Sequence, residues 1–455
     1  MKVIILAGEG GSSLFPLSRV EYPKYFLQVF DKTSLLQQSI TRFSPIAKAE
    51  DIIIVTDEKY RHYVRNELNS VGMAEVHVIL EPEFKNTVAA ISLALNYCKN
   101  QLKCEDDETI FVSNSNYLIS PVNVFLRNIR QGLSLTNKGK IVLFAVKPTM
   151  PAVDYGYMKM GEKIDEGYLV EEFIEKPDEK KAEECFADGK HYWNAGICVS
   201  QLGTFLNELE KEMPEIAVAA KLPFDEMLTK FKDLPDISMG NNILKKLPNM
   251  AMVLLNCFWN DISGWDDIYE VMNKDENHNA IQGDVIAVNC QNSLLFGKKR
   301  LLTGVGLTDI LAVETDDVIL VAKRDQVDIV KELVEKLKTQ KTPEVYRRST
   351  VFCSWGCYKV IESGSNYLVR RIMLEPGTSL KEQINECKSE HWTIIEGAGK
   401  VTIDGKEQIV NRNQSIFVPA GVRYKLSNAE SIPLELLEVQ NGEGIDAENI
   451  DLVED

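Results

Sequence analysis

Short unbroken apolar runs, each closed by glycine or polar residues, recur through the first third of the chain. Residues 3–6 form one such run, ending at Gly8, and residues 52–55 form another, ending at Thr56 and Asp57. "VHVILEP" is a third, followed by the helix-like "NTVAAISLALNYCKN"; "ETIFVS" and "IVLFAV" come next. Continuous Val/Ile/Leu strands separated by helices predict a parallel sheet covered on both faces, in an α/β domain. Ligands on such sheets bind past the carboxyl ends of the strands. The glycine loop at residues 8–13, "EPEFKNT" and "SNSNYLIS" all follow strand ends and are expected to line one crevice.

From Gly283 the texture changes to short β runs with glycine or polar breaks. A helix is expected next, with Val327, Val330, Leu333, Val334 and Leu337 on one face. "TQKTPEVYRRST" reads as a linker, and beyond it nearly every apolar run has strand character, which predicts a small barrel or jelly roll. The expected division is 1–282, 283–345 and 346–455, with the acidic end "EGIDAENIDLVED" as a solvated tail.

A chain of 455 residues exceeds a single core, and 44% hydrophobic with 26% charged residues is an ordinary globular balance. The formal charge of -17 argues against nonspecific binding to nucleic acid or an anionic membrane, while leaving room for a small anion in a local basic pocket. Absence of a signal-like or spanning segment predicts a cytoplasmic protein. Nine scattered cysteines without a C-x-x-C framework are expected to be reduced thiols.

Several motifs then fall in register. "LAG…LFPLSRVEYPKYFL", "ILEPEFKNTVAAI", "KPTMPAVDYGYM", "FIEKPD", "YWNAGI" and "FWNDISGWDDI", followed by "EHWTIIEGAGKVT" and "NQSIFVPAG", resemble the mannose-1-phosphate guanylyltransferases fused to a type II mannose-6-phosphate isomerase module. The resemblance implies a Rossmann-like, GT-A-like nucleotidyltransferase domain, a short β-helix-like segment and a cupin-type β-barrel. It implies attack of a sugar 1-phosphate on the α-phosphate of a nucleoside triphosphate, helped by magnesium. On that pattern Leu6, Ala7, Gly8, Gly10, Gly11, Lys24, Glu81, Asn86, Thr87 and Asn116 would hold the nucleotide. Gly156, Glu175, Lys176 and Asn194 would hold the sugar. Lys24 and Asp261 would serve catalysis, with Asp261 and Asn116 at the metal; a helix-capping role is the alternative for Asp261. Trp193 and Trp259 read as core packing.

The chain also departs from the pattern. Where the family loop reads G-G-x-G-[ST]-R, Glu9 replaces a glycine and Ser13 the arginine. Asn116 and Tyr117 stand for an aspartate and a histidine, Gly240 for an acid and Lys245 for a glutamate. In the isomerase module Gln383 and Glu390 remain. Asn385, Glu386, Cys387 and Tyr424 occupy histidine positions and His391 is the one imidazole, so no metal and no isomerisation are expected there. Two functions stay open: a divergent guanylyltransferase for surface polysaccharide, working as a homo-oligomer or beside a paralogous subunit, or a catalytically impaired homologue with a regulatory or sugar-nucleotide-binding part.

Overall fold

A computed structural model describes residues 1–8, 11–242, 244–246 and 249–443. Glu9, Gly10 and the acidic tail beyond Glu443 lie outside the described residues. The chain forms two compact units: residues 1–18, 23–281 and 324–328, and residues 19–22, 282–323 and 329–455.

The first unit is built on a nine-stranded sheet. Its strands are β1 (Lys2–Ala7), β2 (Ile52–Asp57), β3 (His77–Glu81), β4 (Thr109–Asn114), β6 (Ile141–Val146), β7 (Tyr157–Ile164), β8 (Gly167–Ile174), β9 (His191–Gln201) and β10 (Met250–Leu254). They lie in the order β3-β2-β1-β4-β9-β6-β10-β8-β7. A separate ribbon pairs β5 (Tyr117–Ser120) with β11 (Phe258–Asp261). The β1–β4 group is parallel as the apolar runs predict, and β1 and β2 are buried almost end to end. The sheet as a whole is mixed, not purely parallel: β9 runs antiparallel between β4 and β6, and β7–β8 is a hairpin. Residues 191–201 carry no polarity signal for direction, because strand direction depends on which neighbours are already in place. Helix Asn86–Asn100 packs its Val88, Ile91 and Leu95 into the core that also takes Ile4, Ile53 and Val112.

In the second unit, strands Val285–Val288 and Leu294–Gly297 pair in parallel with Leu302–Val305 and Ile310–Glu314, one coil stacked on the next. Glu314, nearly fully buried, accepts the backbone N–H groups of Lys298 and Lys299 at 2.8 Å, which closes the turn between coils. Helix Val330–Thr339 follows, burying Val330 and Val334. The last part is a six-stranded sheet and a four-stranded sheet around Trp392, Ile394, Leu426 and Leu436.

Candidate functional site

Parallel register aligns the carboxyl ends of the first strands: Leu6 lies opposite Asn114, Ala7 opposite Thr56, and Asp57 opposite Glu81. The loops leaving those ends open two adjoining cavities. The first, of about 370 Å³, is walled by Leu6, Ala7, Gly8, Lys24, Glu81, Asn86, Thr87 and Asn116. The second, of about 270 Å³, carries Gly156, Glu175, Lys176, Asn194 and Asp261. Leu6, Asn86, Thr87 and Asn114 border both, so the two form one trough with a junction at Asn114.

Glu81 dominates the first cavity. It is 1% exposed, its Oε1 finds no hydrogen-bond partner among the described residues, and Oε2 lies so close to Gly8 that a Cβ there would come within 2.5 Å. Burial and then the neighbouring Asp57 push its carboxyl up to about 8. Buried polar atoms are normally paired, so an orphaned carboxylate oxygen on a cavity wall marks a place for a donor. Lys24 opens a short 3-10 turn after Pro23 and is buried at the same wall. Gly11 makes a packing contact in the loop. It is absent from the cavity wall, and a Cβ on it would sit 3.0 Å from the Pro23 Cα and the Lys24 backbone N, so its small size lets the loop pack on that segment.

The β5–β11 ribbon brings Asn116 to Asp261. Tyr117 pairs with Asp261 in register, the Ile262 N–H donates to the Asn116 carbonyl, and Asn116 Nδ2 donates to Asp261 Oδ1 at 2.6 Å. The helix that follows is capped by Asp267, which accepts the Ser263 and Gly264 N–H groups, so Asp261 is not its cap. Buried Arg42 donates to the Tyr117 carbonyl at 2.7 Å and braces this loop. Tyr117 itself points inward: its hydroxyl accepts from Asn114 Nδ2 at 2.7 Å and fills the space beside Gly196, whose φ of +68° suits glycine.

At the second cavity, the Asn194 N–H donates to the Gly156 carbonyl at 2.8 Å, and its side-chain oxygen accepts the Gly196 N–H. Burial holds the Glu175 carboxyl above its ordinary range, and Lys176 pulls the other way. Trp193 and Trp259 are buried, as packing residues would be. Trp259 nonetheless lines the second cavity and meets the rings of Tyr117 and Tyr155, at 5.5 and 5.6 Å between centroids. Asn114, Tyr155 and Gly240 also line the trough. Sequence reasoning had their motifs in hand but no signal to single them out, since only the strand register and the loop path aim them inward.

Three of the isomerase-type ligand positions, Asn385, Glu390 and Tyr424, are joined in a polar network. Glu390, with no exposed surface, accepts from Asn385 Nδ2 at 2.5 Å, the Tyr424 hydroxyl at 2.6 Å, Gln440 Nε2 at 3.3 Å and the Trp392 indole at 3.0 Å. Glu438 beside it pairs with buried Arg370. The substituted Asn385 and Tyr424 thus spend their polar atoms on the carboxylate that a metal would otherwise share. Among the described residues no group of three or more His, Cys, Asp or Glu could hold a metal, and no helix is long and apolar enough to cross a membrane.

The sequence model of the Nucleotidyl transferase family matches residues 2–278, a mannose-phosphate-isomerase/GMP-like β-helix model residues 283–337, and a mannose-6-phosphate isomerase C-terminal model residues 340–455. The chain is 34% identical to a mannose-1-phosphate guanylyltransferase of Salmonella montevideo, covering 96% of this chain and 95% of that one. It is equally 34% identical to the xanthan biosynthesis protein XanB of Xanthomonas campestris, over 99% and 98% of the two chains. A solved structure described as a mannose-1-phosphate geranyltransferase of Thermus thermophilus superposes with a TM-score of 0.68 at 22% identity, over 74% of this chain and 99% of that one, and shares the fold. With matching models over the whole trough-bearing domain and relatives aligned nearly end to end, the chain belongs to the mannose-1-phosphate guanylyltransferase family of nucleotidyl transferases.

Proposed function

We propose that the protein makes GDP-mannose from GTP and mannose 1-phosphate, releasing pyrophosphate, in the cytoplasm and in the service of polysaccharide synthesis. The carrying observation is the Glu81 carboxylate, buried, unpaired at Oε1 and facing the first cavity. Two acceptor oxygens suit a base edge with two adjacent donors. Guanine presents N1–H and the 2-amino group side by side, whereas each other common base offers one donor on that edge. Guanine therefore meets both oxygens, and an adenine or a pyrimidine leaves one unpaired at a cost of about 1–3 kcal/mol.

In this reading the base lies over Gly8 and Glu81 and the triphosphate runs along the glycine loop toward Lys24. The sugar phosphate enters from the Lys176 side and meets the α-phosphate near Asn114. One phosphate oxygen of mannose 1-phosphate forms a bond to the α-phosphorus as the bond to the bridging oxygen of pyrophosphate breaks. The chain's own contribution is alignment and charge: Lys24 and Lys176 offset the phosphates, and the trough holds nucleophile and leaving group in line.

Nucleotidyl transferases of this kind use a divalent metal, for which we propose magnesium. The donor set fits such an ion only in part. Asp261 supplies one hard carboxylate and Asn116 a carbonyl oxygen once its amide turns over, the remaining positions being left to substrate phosphates and water. A bound cation would supply charge neutralisation on the phosphates. The same Asn116–Asp261 hydrogen bond favours a second reading, a catalytically impaired homologue with a regulatory part. A pyrophosphate-release assay with GTP, ATP, UTP and CTP against mannose 1-phosphate decides. Turnover confined to GTP supports the enzyme; nucleotide binding without pyrophosphate from any combination supports the impaired homologue.

A further inference from the structure

The loop from β4 into β5, residues 114–117, lies where the two cavities join. Ser115 and Asn116 wall the first cavity, Tyr117 the second, and Asn114 both. The carbonyls at 115, 116 and 117 are each taken by a different donor. Ser39 Oγ donates to the Ser115 carbonyl at 3.1 Å, the Ile262 N–H to that of Asn116 at 3.2 Å, and Arg42 Nη2 to that of Tyr117 at 2.7 Å. The Ser115 N–H in turn donates to the Leu6 carbonyl at 3.0 Å. Ser39 and Arg42 stand three positions apart, on one side of helix Leu35–Thr41 and its C-cap, and both are buried. Arg42 is the costly member. It is 4% exposed, its Nη1 has no hydrogen-bond partner, and among the described residues no carboxylate pairs with it. Burial brings its guanidinium down to about 10, which still leaves a cation at neutral pH. A buried charge without a counter-ion is expensive, and an apolar side chain of similar volume usually fills such a place at less cost.

We propose that Arg42 and Ser39 are positioning residues for nucleotidyl transfer: from helix Leu35–Thr41 they fix the 115–117 backbone so that Asn116 meets Asp261 at the junction of the two cavities. The inference rests on the nucleotidyltransferase reading of the trough. Neither side chain lines a cavity, so both act through the loop backbone. With the carbonyls of 115 and 117 tied to one helix, the peptide groups on either side of Asn116 cannot turn. Its side chain then keeps the direction that reaches Asp261 Oδ1 at 2.6 Å. One tie alone would hold one end of the loop and leave the other free to rotate. A guanidinium suits the second tie, because it stays charged, donates in a fixed plane and makes a stronger hydrogen bond to a carbonyl than a neutral donor does. A shift of about 1 Å in Asn116 and Asp261 disturbs the alignment of reacting groups more than the binding of either substrate, and such a shift can cost about a hundredfold in rate.

The test compares wild type with Arg42→Met, Arg42→Lys and Ser39→Ala. Methionine keeps an apolar side chain of similar reach but donates nothing, whereas lysine keeps a charge and a donor for the Tyr117 carbonyl. Each protein is measured for thermal unfolding, for manganese affinity with GTP present, read by paramagnetic resonance, and for kcat and KM in pyrophosphate release. In Arg42→Met, manganese affinity should fall about tenfold and kcat about tenfold or more, with KM for mannose 1-phosphate within about twofold of wild type. Ser39→Ala loses a neutral hydrogen bond and should lower both quantities about threefold. Arg42→Lys should recover most of what Arg42→Met loses. A role in packing alone predicts a shifted melting temperature with the manganese affinity and kcat of wild type, and that result overturns the proposal. So does a fall in kcat matched by an equal rise in KM for the sugar phosphate, or an Arg42→Lys variant no better than Arg42→Met. If Arg42→Met does not fold, the other two variants decide, and wild-type manganese affinity and kcat in both overturn the proposal. If wild type takes up manganese with GTP without turnover, manganese affinity decides by itself. Failure of the nucleotidyltransferase reading looks different: wild type then takes up no manganese with GTP and releases no pyrophosphate, and the proposal falls with it.

Discussion

Replacing Glu81 with glutamine tests the base-recognition argument most directly. The substitution keeps shape and volume, so the buried wall beside Gly8 is preserved, but it removes the charge and turns one acceptor into a donor. Guanine would keep one hydrogen bond and face an amide N–H with its 2-amino group. A hydrogen bond to a charged group contributes about 1.5–3 kcal/mol, so the loss of one, with the other weakened to a neutral bond, costs about 2 kcal/mol, or roughly thirtyfold in GTP affinity. Affinity for ATP or UTP should change little, so discrimination collapses from the GTP side. The pH dependence adds a second signature. In the empty protein the Glu81 carboxyl is raised to about 8 by burial and by Asp57. An acid whose folded pKa is raised favours the protonated fold, so its contribution to stability is present at low pH and is lost as pH rises from the ordinary glutamate range through about 8. Guanine needs the ionised form. GTP binding below pH 8 therefore releases a proton and weakens as pH falls, by up to about tenfold per unit. Calorimetry in buffers of different ionisation enthalpy reads that proton. In Glu81→Gln the release should vanish, and the unliganded protein should gain stability at pH 8 relative to pH 5. If the variant binds GTP as tightly as wild type with the same proton release, Glu81 does not face the base and the case for guanine is lost.

Asn116→Asp gives Asp261 a second carboxylate in place of an amide that donates to it. Manganese affinity in the presence of GTP, read by paramagnetic resonance, should rise about tenfold or more, and an unchanged affinity would place the cation elsewhere. Ser13→Arg restores the family's cation to the glycine loop. It should raise triphosphate affinity by about tenfold for one partly exposed charged contact, shrinking at high salt; no gain at low salt would mean that residue 13 faces away from the phosphates. In the barrel, Tyr424→Phe removes a hydroxyl that donates to buried Glu390 and should cost about 1–3 kcal/mol in chemical denaturation. Burial and the facing Glu438 already hold the Glu390 carboxyl well above its usual range. That contribution to stability is therefore lost as pH rises out of the ordinary glutamate range, and the variant's deficit should widen in the same direction. A deficit that narrows with rising pH would show that Tyr424 does not support the ionised form.

What the sequence determined by itself is what local pattern and spacing can carry. The apolar runs at 3–6 and 52–55 had to be buried strands because nothing polar interrupts them, and the loops that close them had to open on one edge of a parallel group; "VHVIL", interrupted by His77, is the less buried strand of that group. Motif order was enough to name the chemistry, and residue identity was enough to show where the chain departs from its family at Ser13, Asn116, Gly240 and Tyr424. Tertiary structure decided the rest, because the deciding contacts join residues distant in sequence. The antiparallel insertion of β9 depends on two neighbouring strands, β4 and β6, and leaves no local trace. Gly11 and Gly8 are indistinguishable in a glycine-rich loop, yet one packs on Pro23 and the other against Glu81. Asn116 looked merely like a poorer ligand until the β5–β11 ribbon set it as a donor to Asp261. Arg42 belongs to no motif, yet it holds the Tyr117 carbonyl seventy-five positions later. Patterning is a property of neighbours along the chain; the hold of Arg42 and Asp261 on one loop is a property of three segments that meet only once the sheet has formed.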